Sequence, residues 1–176
     1  MITLFNVNNY NIDTSRFKSL LHDFVVEDFE ENFAKYCGAK YAVSLNSATN
    51  AIYLINKLWN NETYKVPTMI PPVVLNALIT SGSKIEFIDN TWWVGDSFYL
   101  NYGAYFHIID SAQKVYKNQF TIDATDNDLM YFSFYPTKMI GSADGGMVVS
   151  NDKSKIDKIR EMTFNGMSQE SNNWER

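Results

Sequence analysis

The pattern of apolar and polar residues predicts helices that alternate with short strands. Apolar side chains recur at helical spacing over residues 14–36, and Gly38 follows where a helix would end. The next apolar run, Tyr41–Leu45, predicts a strand, and a second helical pattern covers residues 51–59. A strand followed by a Ser/Thr-rich turn and a helix is typical of the start of an α/β unit.

The same alternation continues along the chain. A short strand near Lys65-Val66 precedes a helix over Pro72–Thr80, and residues 91–103 are aromatic and irregular, which predicts an excursion over one end of the sheet. Further strands are predicted at Lys84–Ile88, 105–109, 121–123, 129–134 and Gly146–Ser150, the last of them antiparallel, and a final helix at 152–164.

These elements predict one domain over residues 1–176, with a polar lead-in at 1–13. Seven candidate strands with helices between the earlier ones favour a three-layer α/β/α fold around a mostly parallel seven-stranded sheet. No linker or repeat divides the sequence, and 176 residues suit a single domain.

Composition and charge exclude several classes of function. The net charge of −5 argues against a nucleic-acid partner bound through an extended basic face. One cysteine, Cys37, and two distant histidines, His22 and His107, argue against a metal site. The start of the sequence has no secretory pattern, and no apolar run is long enough for a membrane span. We therefore expect a cytoplasmic protein without a membrane partner.

Three polar segments follow predicted strands: 47–49, 110–113 and 133–138. Ligands of open α/β sheets bind beyond the carboxyl ends of the strands, so these segments are candidates for a site. The glycine patterns of dinucleotide-binding folds and of P-loops are absent from the sequence.

Each segment allows a functional and a structural interpretation. The turn at Ser47 either binds a phosphate through backbone N–H groups and hydroxyls or caps the next helix. Asp110 ends an apolar strand, where its carboxylate either meets a cationic or hydrogen-bonding partner or caps the turn that contains Ala112 and Gln113. Lys138 is either a nucleophilic amine at the mouth of the sheet or a solvated surface group.

In this order, the segments resemble the DegT/DnrJ/StrS family of pyridoxal-phosphate (PLP) sugar aminotransferases, which have fold type I. The resemblance covers about residues 29–166. It is carried by residues 29–43, 46–51, 66–67, 82–89, 109–113, 133–138 and 144–152.

The resemblance implies a role for each candidate residue. Lys138 would form the Schiff base with PLP and relay a proton between cofactor and substrate, and Asp110 would keep the pyridine nitrogen protonated. Gln113 would contact the phenolic oxygen side of the ring. The phosphate would be held by Ser47, Ala48, Thr49 and Ser133. The reaction implied is amino transfer, with glutamate as donor, to a nucleotide-linked keto sugar in a homodimer.

The sequence also departs from the family. Ala48 stands where a glycine is usual, and Ile70 and Pro71 occupy the places of a threonine and of the aromatic residue that stacks on the cofactor. A stacking side chain would then come from Met69 or from the Trp92-Trp93 pair. The smaller C-terminal domain of fold-type I enzymes is expected to be absent.

Three other interpretations stay open. The first is a non-catalytic or vestigial domain that binds PLP or a sugar nucleotide without turnover, because the C-terminal domain is missing. The second is a PLP dehydratase of the same family. Lys138 argues against it, because such members often have a histidine at the position of the Schiff-base lysine. The third is an α/β domain without any cofactor, which leaves the joint presence of Asp110, Gln113, Ser133 and Lys138 unexplained.

Overall fold

The computed structural model describes residues 11–18, 23–59, 63–101 and 105–166. Over these ranges, strands and helices alternate for most of the chain. The strands are β1 (Tyr41–Leu45), β2 (Thr63–Pro67), β3 (Lys84–Ile88), β4 (Phe98–Tyr99), β5 (Ile108–Asp110), β6 (Leu129–Ser133) and β7 (Gly146–Ser150). The α-helices are α1 (Phe24–Cys37), α2 (Ala48–Leu58), α3 (Pro72–Thr80), α4 (Gln119–Asp123) and α5 (Lys153–Thr163), and a 3-10 turn covers Thr14–Arg16.

The strands form two sheets, so the prediction of one mostly parallel seven-stranded sheet is wrong. Five strands have the order β1-β7-β6-β5-β4, while β2 and β3 form a separate parallel pair. In the five-stranded sheet only β5 and β6 are parallel. Strand β7 is antiparallel to β1 and β6, as predicted, and β4 is antiparallel to β5. The connection from Tyr99 to Ile108 is too short for the crossover that a parallel pair requires.

Helices cover both faces of the five-stranded sheet, which gives three layers. On one face, Leu129 and Tyr131 of β6 belong to a core with α2, α3 and α5. On the other face, Met130 and Phe132 belong to a second core with α1 and α4. Alternate residues of one strand therefore serve different cores, as the two-residue period of a strand requires.

Helix α1 begins ten residues later than the pattern over 14–36 predicts. Asp23 caps it: one carboxylate oxygen accepts the Val25 N–H at 3.2 Å, and the other accepts the Lys18 N–H at 2.6 Å. Residues 19–22 of the predicted helix, with His22, lie outside the described residues. At the other end, Gly38 has a φ of 77° and caps the helix as predicted.

The predicted strand at 121–123 is wrong, because these residues belong to α4. The Thr121 hydroxyl donates to the Gly38 carbonyl at 2.9 Å, and the Asn118 N–H donates to the Tyr36 carbonyl at 2.8 Å. Phe120 is buried against α1. These contacts outweigh the strand preference of a short β-branched run.

The strand predicted at 105–109 begins only at Ile108. Two backbone N–H groups before and at its start donate to side chains: His107 to Asp128 Oδ1 and Ile108 to Asn101 Oδ1, both at 2.6 Å. Tyr105 is 90% exposed.

Within the described ranges, no helix is long and apolar enough to cross a bilayer. The same ranges contain no group of three or more His, Cys, Asp or Glu side chains placed to hold a metal ion.

Candidate functional site

One cavity of about 510 Å³ lies at the start of α2 and at the carboxyl ends of β5 and β6. All seven residues predicted for the site line it: Ser47, Ala48, Thr49, Asp110, Gln113, Ser133 and Lys138. The structure therefore brings together three segments that are far apart in sequence. The individual roles of these side chains stay predictions.

The Ser47 turn opens α2 and faces the cavity. Ser47 is the N-cap residue, and its hydroxyl oxygen accepts the Asn50 N–H at 3.2 Å, so the capping interpretation is confirmed. The first N–H groups of a helix have no carbonyl partners within the helix, and the helix dipole makes this end positive. The N–H groups of Ala48 and Thr49 thus offer an anion-binding position beside the cap.

Strand β7 packs against the back of this turn. A Cβ atom placed on Gly146 would lie 2.6 Å from the Ala48 nitrogen and 2.6 Å from the Ser47 carbonyl carbon. Ser47 also forms a parallel bridge with Gly145. Only a residue without a side chain fits this close approach, so Gly146 keeps the turn in place. This role of Gly146 was not predicted from the sequence.

Asp110 ends β5 and is only 5% exposed. One of its carboxylate oxygens accepts the Ala112 N–H at 2.9 Å, which confirms the turn-capping interpretation. Burial raises the pKa of Asp110, and this effect is opposed in part by the Tyr131 hydroxyl, the Ala112 N–H and the positive charge of Lys138. Such a carboxylate is stabilised by a cation placed next to it.

Ser133 is the last residue of β6, and Lys138 belongs to the turn that follows this strand. The Lys138 N–H donates to the Tyr135 carbonyl at 2.8 Å, and the Ser133 hydroxyl accepts the Tyr135 N–H at 3.4 Å. These bonds fix the backbone on both sides of Tyr135. Burial raises the pKa of Asp110, and the positive charge of Lys138 opposes this rise only in part.

Residues 90–97, which we call the 90–97 loop, are tied to the segment after β5. The Gly95 N–H donates to Gln113 Oε1 at 2.8 Å, and Lys114 Nζ donates to Asp96 Oδ1 at 2.6 Å. The Lys114 ammonium lowers the pKa of Asp96. The predicted excursion over the end of the sheet therefore begins as a loop fixed to one of the predicted site residues.

Among the aromatic residues that line the cavity, Tyr131 was not predicted from the sequence, and Trp93 was only one of the alternatives for a stacking side chain. Tyr131 lies opposite Asp110 in the β5–β6 register, and burial and the Asp110 charge raise its pKa well above the usual range. Its position two residues before Ser133 was the available signal, since both fall on one face of β6. Trp93 lines the cavity and is 8% exposed, whereas Met69 and Trp92 are 75% and 88% exposed and do not line it.

Curated proteins with similar sequences match most of this chain but only about half of their own length. A transaminase from Campylobacter jejuni, "UDP-4-amino-4,6-dideoxy-N-acetyl-beta-L-altrosamine transaminase", is 29% identical over 180 aligned positions covering 81% of this chain and 48% of the relative. The Bacillus subtilis "spore coat polysaccharide biosynthesis protein SpsC" is 28% identical and covers 86% of this chain and 48% of its own. The chain thus spans about half the length of these curated relatives.

Solved structures share the fold. The sugar aminotransferase CalS13 from Micromonospora echinospora superimposes with a TM-score of 0.70 and 16% identity over 98% of this chain and 60% of its own. A DegT/DnrJ/EryC1/StrS aminotransferase from Brucella abortus gives a TM-score of 0.61 with 18% identity, over 90% and 54%. The sequence profile of one family matches residues 13–89 and 108–176. The chain therefore belongs to the DegT/DnrJ/EryC1/StrS aminotransferase family.

Proposed function

We propose that this chain takes part in PLP-dependent amino transfer, with glutamate as donor and a nucleotide-linked keto sugar as acceptor. The observation that carries the proposal is the shared cavity: a buried carboxylate, a lysine and an anion-binding helix start line one space. The named activity of the Campylobacter relative, a UDP-sugar transaminase, supports the substrate class.

The residues of the cavity fit the parts of PLP. Asp110 is buried with a raised pKa, and within the described ranges no lysine or arginine forms an ion pair with it. A protonated pyridine nitrogen would supply the missing cation. The start of α2, held by Gly146, offers N–H groups to the phosphate.

Each side chain then has a task that suits its position. Lys138 would attach the cofactor through its amine and afterwards move the proton between cofactor and substrate carbons. Asp110 would hold the proton of the pyridine nitrogen, and Ser133 with the Ser47–Thr49 turn would orient the phosphate. When bound, PLP supplies the electron sink for charge that develops at the substrate carbon. Gln113 would contact the phenolic oxygen side of the ring.

Lys138→Ala tests this proposal. We expect the wild-type chain to keep a visible absorbance band after incubation with PLP and dialysis, and the variant to lose it, because the band depends on a covalent bond to the Lys138 amine and loss of that bond also weakens retention. Lys84→Ala, which removes an exposed lysine of β3, is the matched control and should keep the band. A band that is unchanged in Lys138→Ala would contradict the proposal.

Addition of glutamate separates the proposed transferase from the vestigial domain. A working transferase loses the visible band when glutamate donates its amino group, whereas a domain without turnover keeps it. The half-length match to the curated relatives makes this second measurement necessary.

We also propose that the chain forms a homodimer. Large apolar side chains are exposed at cavity-lining residues or at their neighbours in the sequence, including Trp92, Tyr135 and Met139 at 88%, 54% and 68%. A second copy could cover such a surface. Light scattering should therefore give about twice the mass of one chain, and a monomer at micromolar concentration would contradict this part of the proposal.

A further inference from the structure

We propose that Gln119, the first residue of α4, is a positioning residue for the cavity. Its buried side-chain amide holds the 90–97 loop against the segment that follows β5, and both of these parts contribute residues to the cavity wall. The inference rests on the proposed function and deepens it, because it names a residue that strengthens PLP binding without touching the ligand.

The first observation is a buried amide that is hydrogen-bonded at both of its ends. Gln119 has no exposed surface. Its Nε2 atom donates to the Ser97 hydroxyl at 2.8 Å and to the Ser111 hydroxyl at 2.6 Å, while its Oε1 atom accepts the Tyr116 N–H at 3.1 Å. A buried amide is costly unless it is hydrogen-bonded, so this network fixes the positions of its members.

The directions of the remaining bonds follow from the single proton of each hydroxyl. The Ser111 hydroxyl donates to the Lys114 carbonyl at 2.7 Å, so it is the acceptor in its 2.9 Å contact with the Ser97 hydroxyl. Ser97 therefore donates to Ser111 and accepts from Gln119. Removal of the Gln119 amide takes a donor from both serines at once.

The second observation is that the two serines lie directly behind the cavity wall. Neither Ser97 nor Ser111 lines the cavity, whereas the residues on both sides of each serine do. These four residues are Asp96, Phe98, Asp110 and Ala112. Because neighbouring backbone positions move together, a shift of either serine displaces the wall. One of the displaced groups is the Asp110 carboxylate, which is proposed to face the pyridine nitrogen.

Gln119 supplies the 90–97 loop with a buried anchor. The loop lies outside the two ranges that the family profile matches. Its bonds to the segment after β5 through Gly95 and Asp96 are exposed to solvent, and the Asp96 and Lys114 side chains of its ion pair are 51% and 33% exposed. Exposed ion pairs contribute little. We therefore expect the contacts of Gln119 to fix the loop.

Gln119→Met tests the inference, because methionine keeps an unbranched side chain of similar length and removes the amide. We expect the Kd for PLP, measured by absorbance titration of the full chain, to rise about 3- to 10-fold, since the ligand must then order a wall that wild type holds in place. Thr121→Val is the matched control on the same helix. It removes the hydrogen bond to the Gly38 carbonyl at the end of α1 and should change the Kd by less than about twofold.

A double variant shows whether Gln119 acts through the loop. Ser97→Ala alone should also weaken PLP binding, and adding it to Gln119→Met should cost little more, because both changes break the same contact. Fully additive effects on the Kd would overturn the inference.

Hydrogen exchange of the unliganded chain provides a readout that does not depend on PLP. The backbone amides of the 90–97 loop should exchange faster in Gln119→Met than in wild type, and Thr121→Val should leave their rates unchanged. An unchanged Kd for PLP in Gln119→Met would overturn this inference alone, even with faster exchange, because the network would then be purely structural. A wild-type chain that does not bind PLP would overturn the inference together with the proposed function.

Discussion

Replacing Arg160 with methionine should expose how strongly α5 is tied to α1 and β1. The Arg160 guanidinium donates to Glu30 Oε2 at 2.6 Å and to the Ala42 carbonyl at 2.8 Å. The other Glu30 oxygen accepts the N–H and hydroxyl of Ser44 at 2.7 and 2.8 Å. Methionine keeps most of the apolar stem of the arginine and removes its charge and donors.

The expected cost follows from the burial of the pair. Only 6% of the Glu30 side chain is exposed, so Arg160→Met leaves a carboxylate in the interior without its cation. Breaking a fully buried ion pair from one side costs about 3–5 kcal/mol. Because 27% of the Arg160 side chain is exposed, we expect a loss of about 2–3 kcal/mol in the free energy of unfolding.

Lys153→Met is the matched control on the same helix. It removes one end of the Lys153–Asp157 pair, whose atoms lie 2.8 Å apart but whose side chains are 56% and 46% exposed. An exposed pair at this spacing contributes about 0.3–0.5 kcal/mol. Urea unfolding at pH 7, with equal slopes for all variants, measures both losses.

A double-mutant cycle with Glu30→Gln separates the pair from other effects of each change. The coupling energy should be favourable and should change little between low and high salt, because the pair is partly shielded from solvent. If Arg160→Met costs no more than Lys153→Met, the reasoning from burial is refuted.

Three further predictions follow from single groups. Asp110→Asn should stabilise the unliganded chain. Because burial raises the pKa of Asp110, the wild-type chain loses stability as the pH rises above the unfolded value of 3.8. Urea unfolding at a series of pH values should therefore show that the free energies of unfolding of the two chains differ more and more above that pH. Burial raises the pKa of the Cys37 thiol to about 12, so it should react with a thiol reagent only as fast as the native chain opens, and rapid labelling without denaturant would contradict this. Gly146→Ala should destabilise the fold by about 1–3 kcal/mol, because the methyl group of the new alanine would meet the Ala48 nitrogen. The same change should weaken PLP retention on dialysis. Retention equal to that of wild type would contradict the role given to this turn.

The cavity residues were easier to predict than the sheet, because their positions depend on local order along the chain. Asp110 directly follows an apolar run, and Ser47 directly precedes a helical pattern. The direction of β4 depends instead on Phe98–Tyr99, two residues without any alternation to indicate a strand. Strand β4 pairs with β5 because the chain reverses its direction between the two strands, and no local sequence pattern indicates this reversal.

Tertiary contacts decided the remaining differences. Apolar spacing continues on both sides of Asp23, so it cannot show that the helix begins only after this residue, whose side chain caps the first turn. Likewise, Trp92 and Trp93 are identical neighbours in the sequence, and only the fold of the 90–97 loop determines which one is buried.

The pairing of β1 with β7 sets the order in which the site is completed while the chain is synthesised. Leu45 lies opposite Gly146, so the Ser47 turn emerges from the ribosome long before the strand that backs it. Helix α2 needs only local contacts and can form early, whereas pairing between distant segments is slow. The end of the cavity proposed to hold the phosphate is therefore among the first parts of the chain to be made and among the last to be fixed.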